Sequence, residues 1–146
     1  MVSGAAASSG LATGNFKGIA PNANLVVVSS NFSSSSFLSN IADATDYIYA
    51  IADSLDMPVV INASLGTYVG SHDGKDVAAQ LIDNMIRLKR GRAFVAANGN
   101  AGDVKFHLGY QVTADTNFTW FEATPSMLNP FVYYRLYADT ADFNQV

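Results

Sequence analysis

Between residues 24 and 97 the chain alternates short, wholly apolar runs with stretches of helical periodicity, and this pattern leaves few folds open. The apolar runs are Leu25-Val26-Val27-Val28, Val59-Val60-Ile61 and Ala93-Phe94-Val95-Ala96-Ala97. Runs of this length and uniformity read as buried strands. Between the first two, Ile41, Thr45, Ile48, Ala52 and Leu55 share one helical face. Ser39 is placed to cap that helix, and Pro58 closes the connection. Between the second and third, Asp76 opens a helix whose apolar side carries Val77, Ala78, Leu81, Ile82, Met85 and Leu88, with Gly91 as its stop. Apolar strands alternating with amphipathic helices predict an α/β fold, a parallel sheet covered on both faces by helices with right-handed crossovers. In such sheets ligands bind beyond the carboxyl ends of the strands. Here those ends are Ser29-Ser30, Asn62-Ala63-Ser64-Leu65-Gly66 and Asn98-Gly99-Asn100, all rich in small or polar residues.

Beyond about residue 103 the pattern changes. Tyr110–Thr113, Asn117–Phe121 and Phe131–Ala138 interleave aromatic and β-branched residues with polar ones, and Pro125 to Pro130 reads as a turn. This predicts an antiparallel β segment with one wet face. A boundary near Phe106 divides the chain into 1–106 and 107–146. Strand alternation places half of Phe118, Trp120, Phe121, Tyr133, Tyr134 and Tyr137 in a core, and a core role for all six is the plainer expectation.

Composition removes several function classes. Only 14% of residues are charged, with a formal net charge of −4. Lys and Arg total 8, and only Arg87, Lys89, Arg90 and Arg92 cluster, which reads as a basic helix end complementing the helix dipole. Nucleic-acid binding needs a far denser basic surface. No run approaches the roughly 20 apolar residues of a membrane span. With Cys 0 there is no disulfide, thiolate metal site or cysteine nucleophile. The two histidines, His72 and His107, show no metal-ligand spacing, and no metal or other cofactor is implied. The low charge leans towards an extracellular or periplasmic setting.

Single residues offer little chemistry on spacing alone. Ser64 follows a strand, but Asn62 stands where a nucleophile elbow needs glycine, and a loop rather than a helix follows. Asn98-Gly99-Asn100-Ala101-Gly102 is not a dinucleotide fingerprint. Asp53 and Asp56 show no acid–base pairing, and the sequons at Asn31, Asn62 and Asn117 say little by themselves. Asn100 stands in a glycine-rich turn after a buried strand, where an amide can donate to a developing oxyanion or simply bond its own turn.

Four segments in order carry a resemblance. Val2-Ser3-Gly4-Ala5-Ala6-Ala7 is similar to the end of an H-G-T-x-V-A-G motif and its helix. Gly18-Ile19-Ala20-Pro21-Asn22-Ala23-Asn24-Leu25-Val26-Val27-Val28 is similar to G-[VI]-A-P-x-A-x-L-x-x-V. Val59-Val60-Ile61-Asn62-Ala63-Ser64-Leu65-Gly66 follows V-[IV]-N-x-S-[LW]-G, and Val95-Ala96-Ala97-Asn98-Gly99-Asn100-Ala101-Gly102 follows V-A-A-x-G-N-x-G. Together they resemble the subtilisin-like serine peptidases. The resemblance implies a partial subtilisin-like sheet, then the start of a β-sandwich-like insertion. It implies that Asn100 is the oxyanion-hole asparagine. Ser64, Leu65 and Gly66 would pair with a substrate backbone and wall the first specificity pocket. Ala96, Ala97, Asn98 and Gly99 would form the opposite wall, with Asn98 where the family usually has a small residue.

The same alignment places the family's catalytic histidine and aspartate before Met1 and its G-T-S-M-A serine after Val146. The expectation is therefore an internal part of a secreted endopeptidase, inactive alone, whose parent acts on peptide or protein substrates. Two other readings stand beside it: a non-catalytic interaction module using the aromatic β segment, and an unrelated α/β hydrolase using Ser64. Open strand edges predict self-association into a homo-oligomer.

Overall fold

The computed structural model describes residues 1–12, 14–105, 107–109, 111, 113, 118–120 and 132–141. The first helix, α1 (Val2–Ala7), lies within the first motif segment. Its last carbonyls are met by the second motif. Gly18 N donates to Ser8 O at 2.8 Å, Ile19 N to Ala5 O at 3.2 Å and Ala20 N to Ala6 O at 2.8 Å. These bonds satisfy groups that a helix end leaves unpaired. A Cβ on Gly18 would fall 2.6–2.8 Å from backbone atoms of Ala6, Ala7 and Ser8, so the motif's glycine is there for close approach.

Helix α2 (Phe37–Ser54) starts after Ser36, not at Ser39, and no side chain caps it. Its buried stripe is Ala42, Thr45, Tyr49 and Ala52, a 3-4-3 spacing. The expected stripe shared Thr45 and Ala52 but ran slightly off. Tyr49 is 1% exposed, whereas Leu55, expected inside, is 56% exposed. Thr45 Oγ1 donates to Ile41 O at 2.8 Å, which lets a hydroxyl sit in this core.

Strand β1 (Val59–Ala63), helix α3 (Val77–Leu88) and strand β2 (Arg92–Ala96) complete the regular elements among the described residues. The two strands pair in parallel, Val59 opposite Arg92 through Ala63 opposite Ala96. Asp76 caps α3 as its position predicted, Oδ1 accepting from Ala79 N at 3.0 Å. Gly91 serves the strand more than the helix. At φ +86° its carbonyl accepts from Val59 N at 2.8 Å and opens the ladder. Helix α2 packs on α3 and β1, and α3 on β2. Among the described residues the buried apolar ones are Ala42, Tyr49, Ala52, Ile61, Ala63 and Ala78.

The α/β class therefore stands, as a parallel two-stranded sheet with helices. Two expectations about it do not. Leu25–Val28 forms no strand, and Leu25 and Val27 are 56% and 75% exposed. Asn24 Nδ2 donates to Met57 Sδ at 3.4 Å, which holds the start of this run beside the entry to β1. An apolar run becomes a strand only where its backbone finds a ladder, and this one does not. Nor are both sheet faces covered: Val60 and Val95, on the face away from Ile61 and Ala63, remain exposed.

The chain divides into two units, one of Met1–Thr67 with His72–Gly99, the other of Tyr68–Ser71 with the described residues from Asn100 onward. In the second unit the described residues form no strand ladder. Phe118 and Trp120 meet edge-on with centroids 6.2 Å apart. They are exposed, as are Tyr133, Tyr134 and Tyr137, which corrects the expectation that these rings are core. Phe106, Tyr110, Val112, Asn117, Phe121 and Pro125 to Phe131 lie outside the described residues.

Candidate functional site

The sequence-predicted residues Ser64–Gly66 and Ala96–Gly99 belong to the first unit and emerge side by side at the carboxyl ends of β1 and β2. The ladder reaches Ala63 opposite Ala96, and Ala97 N extends it by donating to Ala63 O at 3.1 Å. Ala63 is buried, so its side chain anchors the strand end in the core. The next residues turn outward: Ser64, Gly66, Ala97, Asn98 and Gly99 are exposed and Leu65 is half-buried. A Cβ added at Gly66 would meet no atom within 4 Å. Gly99 takes φ +93°, a conformation that favours glycine and ends the extended run. The result is two exposed backbone stretches with small side chains, a surface another extended chain can approach.

Ser64 is not arranged as a nucleophile. Asn62 Nδ2 donates to its Oγ at 3.2 Å, and Oγ donates to Asn62 Oδ1 at 3.3 Å. A carboxamide cannot take the serine's proton as a general base. Asn100 opens the second unit. It is exposed, and in the turn that follows it Val104 N donates to Ala101 O at 3.1 Å.

A second polar cluster, which sequence spacing did not reveal, lies where β2 begins. Arg92 Nη2 donates to Asp53 Oδ2 at 2.6 Å, and Nη1 donates to Met85 O at 2.7 Å. The guanidinium carbon lies 4.7 Å from the centre of the Tyr49 ring. Lys89 Nζ approaches Asp53 Oδ1 at 3.2 Å and Asp56 Oδ1 at 3.7 Å. Arg87 pairs within its own helix, with Asp83 at 2.8 Å. Lys89 and Arg92 thus form a tertiary ion-pair network with Asp53 and Asp56 as its acidic partners, while Arg87 lies in the last turn of α3 as the helix-end expectation has it. Burial raises the Asp53 carboxyl, but the Lys89 and Arg92 hydrogen bonds and charges outweigh it and hold the group below the usual carboxylate value. Burial pushes the Tyr49 hydroxyl up, with Arg92 opposing it. The signal for this network in sequence was weak: acids at the end of one helix and bases before the next strand, 39 positions apart.

Among the described residues no group of three or more His, Asp or Glu could hold a metal ion. A shallow cavity of about 250 Å³ between α2 and α3 is lined by Leu38, Ala42, Val77 and Leu81 with Asp43 and Asp76, and includes none of the strand-end residues.

The chain matches the family model described as "Subtilase family" over residues 1–126, a span that contains all four motif segments. No curated protein and no solved structure matches it.

Proposed function

The chain belongs to the subtilase family, and from that membership we propose that it carries the substrate-binding strands and the oxyanion donor of a serine endopeptidase. In this proposal an extended peptide lies against Ser64–Gly66 and Ala97–Gly99, and its backbone bonds to theirs. Asn100 donates its amide to the carbonyl oxygen as that oxygen gains charge, an interaction worth roughly 3–4 kcal/mol in the transition state where such donors have been removed; a subtilisin asparagine is the standard measured case. The family match carries the reading. The open space at Gly66, the exposed strand ends and the exposure of Asn100 support it.

The 146 residues contain no G-T-S-M-A serine and no H-G-T histidine, so hydrolysis by the chain alone forms no part of the proposal. Binding is its testable content. Titrating an extended peptide into the isotope-labelled chain is expected to shift the backbone amides of Ser64–Gly66 and Ala97–Gly99 and the side-chain amide of Asn100. Shifts confined to other residues overturn it.

A second reading is favoured by one observation. Phe118, Trp120, Tyr133 and Tyr134 are 64–89% exposed, and surface aromatics of this density suit a docking face. Peptide-induced shifts confined to these rings would support a non-catalytic interaction module instead.

A further inference from the structure

We propose that Arg92 is a positioning residue that locks the register of β2 against β1, and with it the alignment of Ala97–Gly99 beside Ser64–Gly66. Its functional half rests on the substrate-strand reading above.

The five-pair ladder carries little register information of its own. On the open face Val60 and Val95 are 70% and 54% exposed, so burial does not select one pairing there. On the covered face Ile61 and Ala63 meet Phe94 and Ala96, a graded set of apolar residues. Parallel hydrogen bonds are evenly spaced, so a slip of two residues restores both the ladder and the faces.

Arg92 breaks that degeneracy. It is the only charged residue in either strand, and its side chain is 10% exposed. Its two donors reach different helices, Asp53 at the end of α2 and the Met85 carbonyl in α3, while its plane rests over Tyr49. A two-residue slip moves Arg92 by about 6.6 Å along the strand. No single rotamer keeps both bonds after that move, and the slipped state leaves a buried charge without its partners. Only the observed register gives Nη1 and Nη2 both of these partners, while the buried Nε has none.

The test reads register directly. Cross-strand contacts between β1 and β2 and hydrogen exchange of the Ala97 amide are measured by NMR in the wild type, Arg92→Met, Arg92→Lys and Asp53→Asn. Arg92→Met keeps the apolar stem and is expected to show a second set of cross-strand contacts and at least tenfold faster Ala97 exchange. Arg92→Lys is expected to restore part of the protection, and Asp53→Asn to fall between Arg92→Met and the wild type. A single native contact set with unchanged Ala97 exchange in Arg92→Met overturns the proposal, whatever happens to overall stability. If that variant does not fold, Asp53→Asn decides, and native register with unchanged exchange there overturns it equally. Peptide titration of the wild type tests the substrate-strand reading separately, so a register lock can stand where peptide binding fails.

Discussion

Arg92 Nη2 lies 2.6 Å from Asp53 Oδ2, joining the first residue of β2 to the last turn of α2. This pair, with Lys89 on the other carboxylate oxygen, makes stability depend on the charge of Asp53. Its carboxyl is held below the usual value despite the opposing effect of burial. A depressed folded value gives stabilisation that is complete above the unfolded carboxylate pKa of about 4 and is lost as pH falls through the folded one. Urea unfolding midpoints measured from pH 7 to pH 2 are expected to drop more steeply below pH 4 in the wild type than in Asp53→Asn. Parallel curves would show that the pair contributes nothing to acid sensitivity.

Tyr49 is the largest fully buried side chain, yet its hydroxyl has no hydrogen-bond partner among the described residues. A buried, unpaired polar group costs about 1–3 kcal/mol. Tyr49→Phe keeps the ring beneath Arg92 and is expected to raise stability by about 1 kcal/mol, read from chemical denaturation. Tyr49→Ala removes the ring and is expected to cost about 3–5 kcal/mol. The raised hydroxyl value also predicts stability that is full below the unfolded tyrosine pKa of about 10 and is lost as pH rises past it. Tyr49→Phe should abolish that alkaline loss.

Gly91 combines φ +86° with Pro58 Cβ only 3.3 Å from where its own Cβ would sit. Gly91→Ala is expected to destabilise by about 1–2 kcal/mol, since the left-handed conformation is strained for any side chain. The unfolding midpoint measures this. Gly66→Ala, at a position with open space, should leave that midpoint nearly unchanged.

Ser64 spends its hydrogen bonds on Asn62. Incubation with a serine-directed fluorophosphonate is expected to give no adduct in intact-mass spectra. Stoichiometric labelling at Ser64 would instead support the α/β-hydrolase reading.

Strands β1 and β2 each have one edge outside the two-stranded ladder, and β1 carries no charge that would discourage pairing. Multi-angle light scattering is expected to show concentration-dependent self-association. A monomer across the accessible range would count against edge pairing.

Much of the local structure was legible before any tertiary contact was seen. The periodicity located α2 and α3, Asp76 announced its helix by cap chemistry, and Val59–Ile61 and Ala93–Ala97 marked both strands. Local interactions decide these features, so local sequence reports them. Leu25–Val28 failed for the opposite reason. It has a strand's composition, but strand formation depends on a partner edge that composition cannot reveal. The buried stripe of α2 lies a fraction of a turn from the expected one, with Ala42 and Tyr49 buried where the spacing predicts Ile41 and Ile48.

The family motifs and the residues they single out were readable from sequence alone, because close backbone approach demands particular small residues at fixed spacing. Gly18 against α1 is of this kind. The ion-pair network was decided only by the tertiary structure. Asp53, Lys89 and Arg92 are ordinary surface charges until α2 and β2 pack together. Burial then makes Arg92 seek two partners at once, and that requirement exists only in the folded chain.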